Sequence, residues 1–230
     1  MRQYMKQWSA ALQRDMEILR FGERGVPLIA FPTSMGRFYQ WEDFGLVDAV
    51  RDRIDAGHVQ LWCVDSVDGE SWYANWRSPA DRIRRAEDYE RYILHEVSPQ
   101  TGSVPVLAGP SFGAFHAALM ALRQPASYRG FIGLSGAYST SHWLNGYFDE
   151  SVYFNDPLMF VPNLGDEAYL GPMRGWAVKA IVTGRDDANS DESIRLGEAL
   201  LAKGVGVDLD VWNGWAHDWP YWKRMLHDHV

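Results

Sequence analysis

The sequence predicts an α/β domain in which a mostly parallel sheet carries helices on both faces, with no large lid. Three observations carry this. Short apolar runs alternate with segments of helical spacing along most of the 230 residues, the order expected of a parallel sheet with crossover helices. The runs at 26–31, 59–64, 104–108 and 178–183 are almost wholly apolar, as strands buried on both faces must be. The run at 104–108 passes through Gly109-Pro110-Ser111-Phe112-Gly113 straight into an Ala- and Leu-rich segment, a strand–turn–helix unit.

The elements follow in order. Residues 16–21 alternate and read as an early antiparallel strand. Residues 26–31 form the next strand. Leu46, Val47, Val50 and Ile54 recur at helical spacing within 43–56. A strand at 59–64 holds Cys63, the single cysteine, as a core residue. Residues 81–97 form a charged amphipathic helix with Ile83, Tyr89, Ile93 and Leu94 on its apolar side. After the strand at 104–108, a helix over 112–124 stops at Pro125. Strands at 129–134 and 178–183, a helix at 191–203 ended by Gly204, a strand at 207–212 and a helix at 220–229 complete the chain. We read residues 1–230 as one domain. Residues 135–177, rich in Gly, Pro and aromatics, form an insertion expected over the carboxyl edge of the sheet, where open α/β folds bind ligands.

Gly-x-Ser-x-Gly is weak alone and specific in this setting. A sharp strand-to-helix turn lifts the hydroxyl of Ser111 above the sheet edge and aims backbone N–H groups at what it attacks. A serine needs a base, and the base needs an acid to orient it. The strand at 178–183 runs into Gly184-Arg185-Asp186-Asp187, which offers Asp187 as the acid, with Asp186 and Asp191 as rivals. The loop after 207–212 offers His217 as the base. His116, one turn into the helix after Ser111, reads as a packed or pocket-facing residue. His227-Asp228-His229 reads as a solvated tail, and no Cys/His pattern has zinc spacing. For the oxyanion, the amide of Phe112 is one candidate donor. The loop 32–36 supplies the other, with Ser34 first and Thr33 and Met35 as alternatives, since Pro32 has no N–H. Eleven tryptophans are many for this length. Trp72 and Trp76, in the loop after 59–64, are expected to wall a substrate pocket together with Met35.

Composition bounds the partners. A formal net charge of −8 argues against nucleic acid and against an anionic membrane surface. No apolar run reaches the roughly 18 residues of a membrane span, and the first residues lack the apolar core of a secretory signal. A cytoplasmic protein acting on a small-molecule ester, with no cofactor and no metal, is the expectation; self-association stays open.

With these residues in place the chain resembles the α/β-hydrolase superfamily, and within it the esterase D-like group of small lidless enzymes. The marks are Phe31-Pro32-Thr33-Ser34-Met35-Gly36-Arg37-Phe38-Tyr39, Val64-Asp65-Ser66-Val67-Asp68-Gly69-Glu70-Ser71-Trp72-Tyr73, the Ser111 turn, Leu134-Ser135-Gly136-Ala137-Tyr138 and His217-Asp218-Trp219-Pro220. The resemblance implies a triad of Ser111, Asp187 and His217 and places the Trp72–Trp76 loop beside the acyl pocket. Pro110 departs from the small or polar residue expected before the serine. The implied activity is hydrolysis of short-chain acyl or aryl esters through an acyl-enzyme. Acyl transfer or thioester hydrolysis by the same triad, or a binding module without catalysis, are the alternatives.

Overall fold

A computed structural model describes all residues, 1–230. Eight strands form one sheet: β1 (Arg2–Ser9), β2 (Arg14–Phe21), β3 (Val26–Ala30), β4 (Val59–Val64), β5 (Val106–Pro110), β6 (Gly130–Leu134), β7 (Val178–Gly184) and β8 (Asp208–Trp212). Their spatial order is β1-β2-β4-β3-β5-β6-β7-β8. From β4 to β8 every neighbouring pair is parallel, while β2 runs antiparallel to both β1 and β4. The sequence reading found β2 to β8 but not β1. Seven of its eight residues lie outside the core, so it carries no apolar alternation to read; pairing along its whole length with β2 makes it a strand.

The helices are α1 (Gln40–Asp43), α2 (Leu46–Ala49), α3 (Arg51–Asp55), α4 (Pro79–Tyr92), α5 (Phe112–Arg123), α6 (Ser141–Leu144), α7 (Glu150–Phe154), α8 (Pro157–Phe160), α9 (Glu167–Arg174), α10 (Ser190–Ala202) and α11 (Trp219–His229). The single helix expected over 43–56 is three short ones, interrupted at Gly45, which has φ 80°, and at Val50. The helix expected over 81–97 begins earlier. Ser78 caps it by accepting from the Asp81 amide, with Pro79 in the first turn. It ends in a wider π-type turn at Ile93–Val97. At the chain end His227 and Asp228 are solvated as expected, but they are helical: α11 extends to His229, whose ring lies 3.3 Å from the Asp208 carboxylate.

Alternation along the strands sorts side chains to two faces. Ile29, Trp62, Leu107, Phe131 and Ile181 point into a core shared with α4, α5 and α10. Leu28, Leu61, Cys63, Val106, Ile132, Ala180 and Val182 point into a second core under α1–α3 and α11. Cys63 is fully enclosed there, and burial pushes its thiol far above the ordinary cysteine range. α5 is central: its residues 112–122 are all buried, which explains a helix so rich in small and apolar side chains.

Residues 135–177 hold α6–α9. Val152, Phe160, Leu170 and Met173 join the core beside α5 and α10, so most of this segment widens one flank of the sheet rather than covering its carboxyl edge. It meets that edge at its start, where Ser135 bonds the Ala216 carbonyl and the Asn189 side chain, and at Trp143, whose ring centroid lies 4.6 Å from that of Phe112. No helix is long and apolar enough to cross a membrane.

Candidate active site

Ser111 sits between the end of β5 and the start of α5 with φ 54° and ψ −117°, a conformation that L-residues rarely adopt. Two close approaches explain the flanking glycines. A Cβ on Gly109 would fall 2.3 Å from the Gly113 backbone, and one on Gly113 would fall 2.6 Å from the Pro32 carbonyl oxygen. The turn is therefore closed against itself and against the loop after β3. The Ser111 amide donates to the Leu134 carbonyl at 2.8 Å, tying the turn to β6.

The sheet brings three distant side chains into line. His217 Nε2 lies 3.0 Å from Ser111 Oγ. His217 Nδ1 lies 3.0 Å from each Asp187 carboxylate oxygen. An Nδ1–H directed at the carboxylate leaves the Nε2 lone pair to accept the serine hydroxyl. The Asp187 side chain is completely buried, while that of His217 is 26% exposed. Burial acts to raise the Asp187 carboxyl, yet hydrogen bonds from His217 and the Asn189 amide outweigh it and hold the group below the ordinary aspartate range. Asp186 and Asp191 are exposed, and Asp191 turns to Arg195 instead. Of the three acids, Asp187 alone meets the histidine.

A serine absent from the predicted site braces this line. Ser135, at the end of β6, has φ 50°. Its hydroxyl donates to the Ala216 carbonyl at 2.8 Å, and its own carbonyl accepts from the Asn189 side chain at 3.1 Å. One residue thus holds both the histidine loop and the turn carrying the acid. It stands in the run Leu134-Ser135-Gly136-Ala137-Tyr138 that marks the resemblance, but its positive φ and long-range partners cannot be read from those residues.

In the loop after β3, backbone accounting separates the oxyanion candidates. The Thr33 amide donates to Gln40 Oε1 at 2.8 Å, and the Met35 amide donates to Asp68 Oδ2 at 2.8 Å. The Ser34 amide has no acceptor within the protein. Phe112, as the first residue of α5, has no carbonyl one helical turn before it to bond. The close fit of Gly113 on Pro32 sets these two amides on neighbouring segments.

The pocket expectation needs correction. Trp72 is fully buried, with its ring edge-on to Phe115 at 5.4 Å, and is a core residue. Trp76 is 75% exposed and lies under the Arg77 guanidinium at the surface. The rings at the Ser111 turn are instead Tyr73, edge-on to Phe112 at 5.5 Å, and Trp143. The Tyr73 hydroxyl donates to Ser34 Oγ at 2.8 Å. In the run Ser71-Trp72-Tyr73-Ala74, both rings pack against Trp143, but Trp72 is enclosed while Tyr73 reaches Ser34, and sequence does not say which of the two is enclosed. Met35 is 56% exposed and borders a cleft of about 240 Å³ with Arg37, Asp68 and Gly69. A cavity of about 670 Å³ lies among α4, the end of α5 and α7–α9 and includes none of these residues. No three His, Cys, Asp or Glu side chains gather as metal ligands.

No protein-family model matches the sequence, and no curated protein matches it. Solved structures do match. A ferulic acid esterase superposes with a TM-score of 0.78 at 18% identity, over 99% of this chain and 95% of that one. An S-formylglutathione hydrolase from Agrobacterium tumefaciens gives 0.77 at 15%, over 100% and 92%. A fluorophosphonate-binding serine hydrolase of Staphylococcus aureus, with substrate bound, gives 0.68 at 15%, over 99% and 96%. At these identities the likeness carries the fold, and the chain has the α/β-hydrolase fold; its structural neighbours are esterases and serine hydrolases.

Proposed function

We propose that the chain is a serine carboxylic-ester hydrolase of the esterase D-like group, acting on short-chain acyl or aryl esters through an acyl-enzyme. The observation that carries this is the unbroken hydrogen-bonded line from Asp187 through His217 to Ser111 Oγ. His217 takes the hydroxyl proton as Ser111 attacks the ester carbonyl, and buried Asp187 stabilises the imidazolium that forms. The amides of Phe112 and Ser34 hold the developing oxyanion. His217 then gives its proton to the departing alcohol. Water enters by the same route, loses a proton to His217 and attacks the acyl-enzyme; His217 passes that proton to the departing Ser111 Oγ, and the acid is freed. Tyr73 and Trp143 supply apolar contact for the acyl or aryl group.

Fluorophosphonate labelling with p-nitrophenyl acetate turnover tests this reading. Ser111→Ala abolishes both while leaving the circular dichroism spectrum unchanged. Asp187→Asn lowers kcat by up to about 10⁴-fold through the wrong His217 tautomer, whereas Asp186→Asn and Asp191→Asn stay near wild type. A folded Ser111→Ala variant retaining more than about a tenth of kcat overturns the assignment, because losing a nucleophile costs orders of magnitude.

A further inference from the structure

The loop that carries the Ser34 amide is held by a buried acid outside the triad. Asp68 follows β4 and is only 1% exposed. One carboxylate oxygen accepts the Met35 amide at 2.8 Å, and the other lies 3.2 Å from His116 Nε2. No lysine or arginine pairs with it. A carboxylate buried with so few partners is costly, and its two bonds add a hydrogen-bonded link between the loop after β3 and α5 to the van der Waals approach of Gly113 on Pro32. His116 belongs to α5, the helix whose first amide is that of Phe112. It is 3% exposed and caged by the rings of Phe31, Tyr89, Phe112 and Phe115, at 4.6–5.8 Å. Met35 belongs to the loop after β3 and is held at φ 57°, against the preference of a non-glycine residue.

A second route starts from the same residue. The Asp68 carbonyl accepts the Tyr73 amide at 2.9 Å, and the Tyr73 hydroxyl reaches Ser34 Oγ. Ser34 is therefore fixed on one side by its own hydroxyl and on the other by the amide of its neighbour, and both restraints lead back to Asp68. Gln40 fixes Thr33 in the same way. The only amide of residues 33–35 left without an acceptor is that of Ser34.

We propose that Asp68 and His116 form a buried positioning pair that locks the loop after β3 to α5, so that the Ser34 and Phe112 amides meet one oxyanion at a fixed separation. This rests on the hydrolase reading above. Neither residue touches substrate. The pair acts through the Met35 amide, and its contribution appears only when negative charge develops on the carbonyl oxygen.

The experiment compares Asp68→Ala, Asp68→Asn and His116→Leu in the full chain. Asp68→Ala removes both bonds. Asp68→Asn keeps an oxygen for the Met35 amide, and its NH₂ can donate to His116 in the other tautomer. For Asp68→Ala, kcat on p-nitrophenyl acetate falls about 10- to 100-fold, below the loss from deleting a donor outright, while KM stays within about twofold. Affinity for a trifluoromethyl ketone, whose tetrahedral adduct carries the oxyanion, falls by the same factor as kcat/KM. Asp68→Asn recovers kcat to within about threefold of wild type. A folded Asp68→Ala variant with unchanged kcat overturns the proposal, as does a loss of kcat with no matching loss of ketone affinity. If Asp68→Ala does not fold, His116→Leu carries the same test: it keeps apolar volume in the aromatic cage, and unchanged kcat and ketone affinity again overturn it. Ser111→Ala run alongside separates the two readings. An active Ser111→Ala variant sinks the hydrolase assignment, whereas an inactive one beside a fully active Asp68→Ala variant sinks the positioning pair alone.

Discussion

Replacing Ser111 with glycine rather than alanine measures what the turn costs the fold. Both variants lack the hydroxyl and its bond to His217, so their difference isolates the backbone. At φ 54° and ψ −117°, a residue with a Cβ carries about 1–3 kcal/mol of conformational strain. Glycine relieves that strain but loses about 0.4–1 kcal/mol through the greater freedom of its unfolded chain. Mid-range values of the two leave about 1–2 kcal/mol in favour of Ser111→Gly over Ser111→Ala. With a urea m-value of about 3 kcal/mol/M for a chain of this size, the glycine variant unfolds at a midpoint about 0.3–0.7 M higher. In a thermal scan the gap is about 2–8 °C. Equilibrium urea melts followed by far-ultraviolet circular dichroism, with m-values compared, are the assay. A glycine variant that unfolds at or below the alanine variant's midpoint refutes the claim that strain is stored at the nucleophile.

Trp72→Ala, in the core, lowers stability by about 3–5 kcal/mol, while Trp76→Ala, at the surface, shifts it by no more than about 0.5 kcal/mol. Neither changes the order of kcat/KM across acetate, butyrate and octanoate esters, and equal urea midpoint shifts in the two variants contradict their assignment. Burial pushes the Glu90 carboxyl up from 4.5 to about 7, against the pull of Arg123. Between those values the folded chain keeps a proton that the unfolded chain has lost, so stability falls as pH rises through the window and is level above it. Glu90→Gln accordingly stabilises the protein by up to about 3 kcal/mol at pH 8 and leaves it unchanged near pH 4; urea melts at the two pH values that differ equally from wild type contradict the shift.

Much of the site is readable in sequence because its parts stand at the ends of apolar strands. Ser111, Asp187 and His217 follow β5, β7 and β8, and parallel strands bring their carboxyl ends to one edge whatever their separation in sequence. Asp187 could be ranked above its neighbours by spacing, and burial explains why Asp186 does not replace it. What sequence could not give was orientation. Trp72 and Tyr73 are adjacent and equally aromatic, yet one turns to the core and the other to Ser34. The braces were invisible for a related reason. Asp68 and His116 are 48 residues apart and meet only through the packing of α5 on the sheet. β1 escaped because pairing, not apolar pattern, defines it.

The enclosure of Cys63 gives the molecule a built-in clock. Its strand is bonded on one side to β2 and on the other to β3, and its side chain is sealed beneath the second core. No small breathing of a loop brings that sulfur to solvent; the helices packed on that face must lift or the sheet itself must part. An alkylating reagent added to the native protein therefore reacts only as fast as this core opens or, when reclosing outruns the chemistry, in proportion to the fraction open. With no other thiol in the chain, every alkylation reports the opening of this one site. The opening of this core can be followed in plain buffer, with no denaturant and no introduced label site.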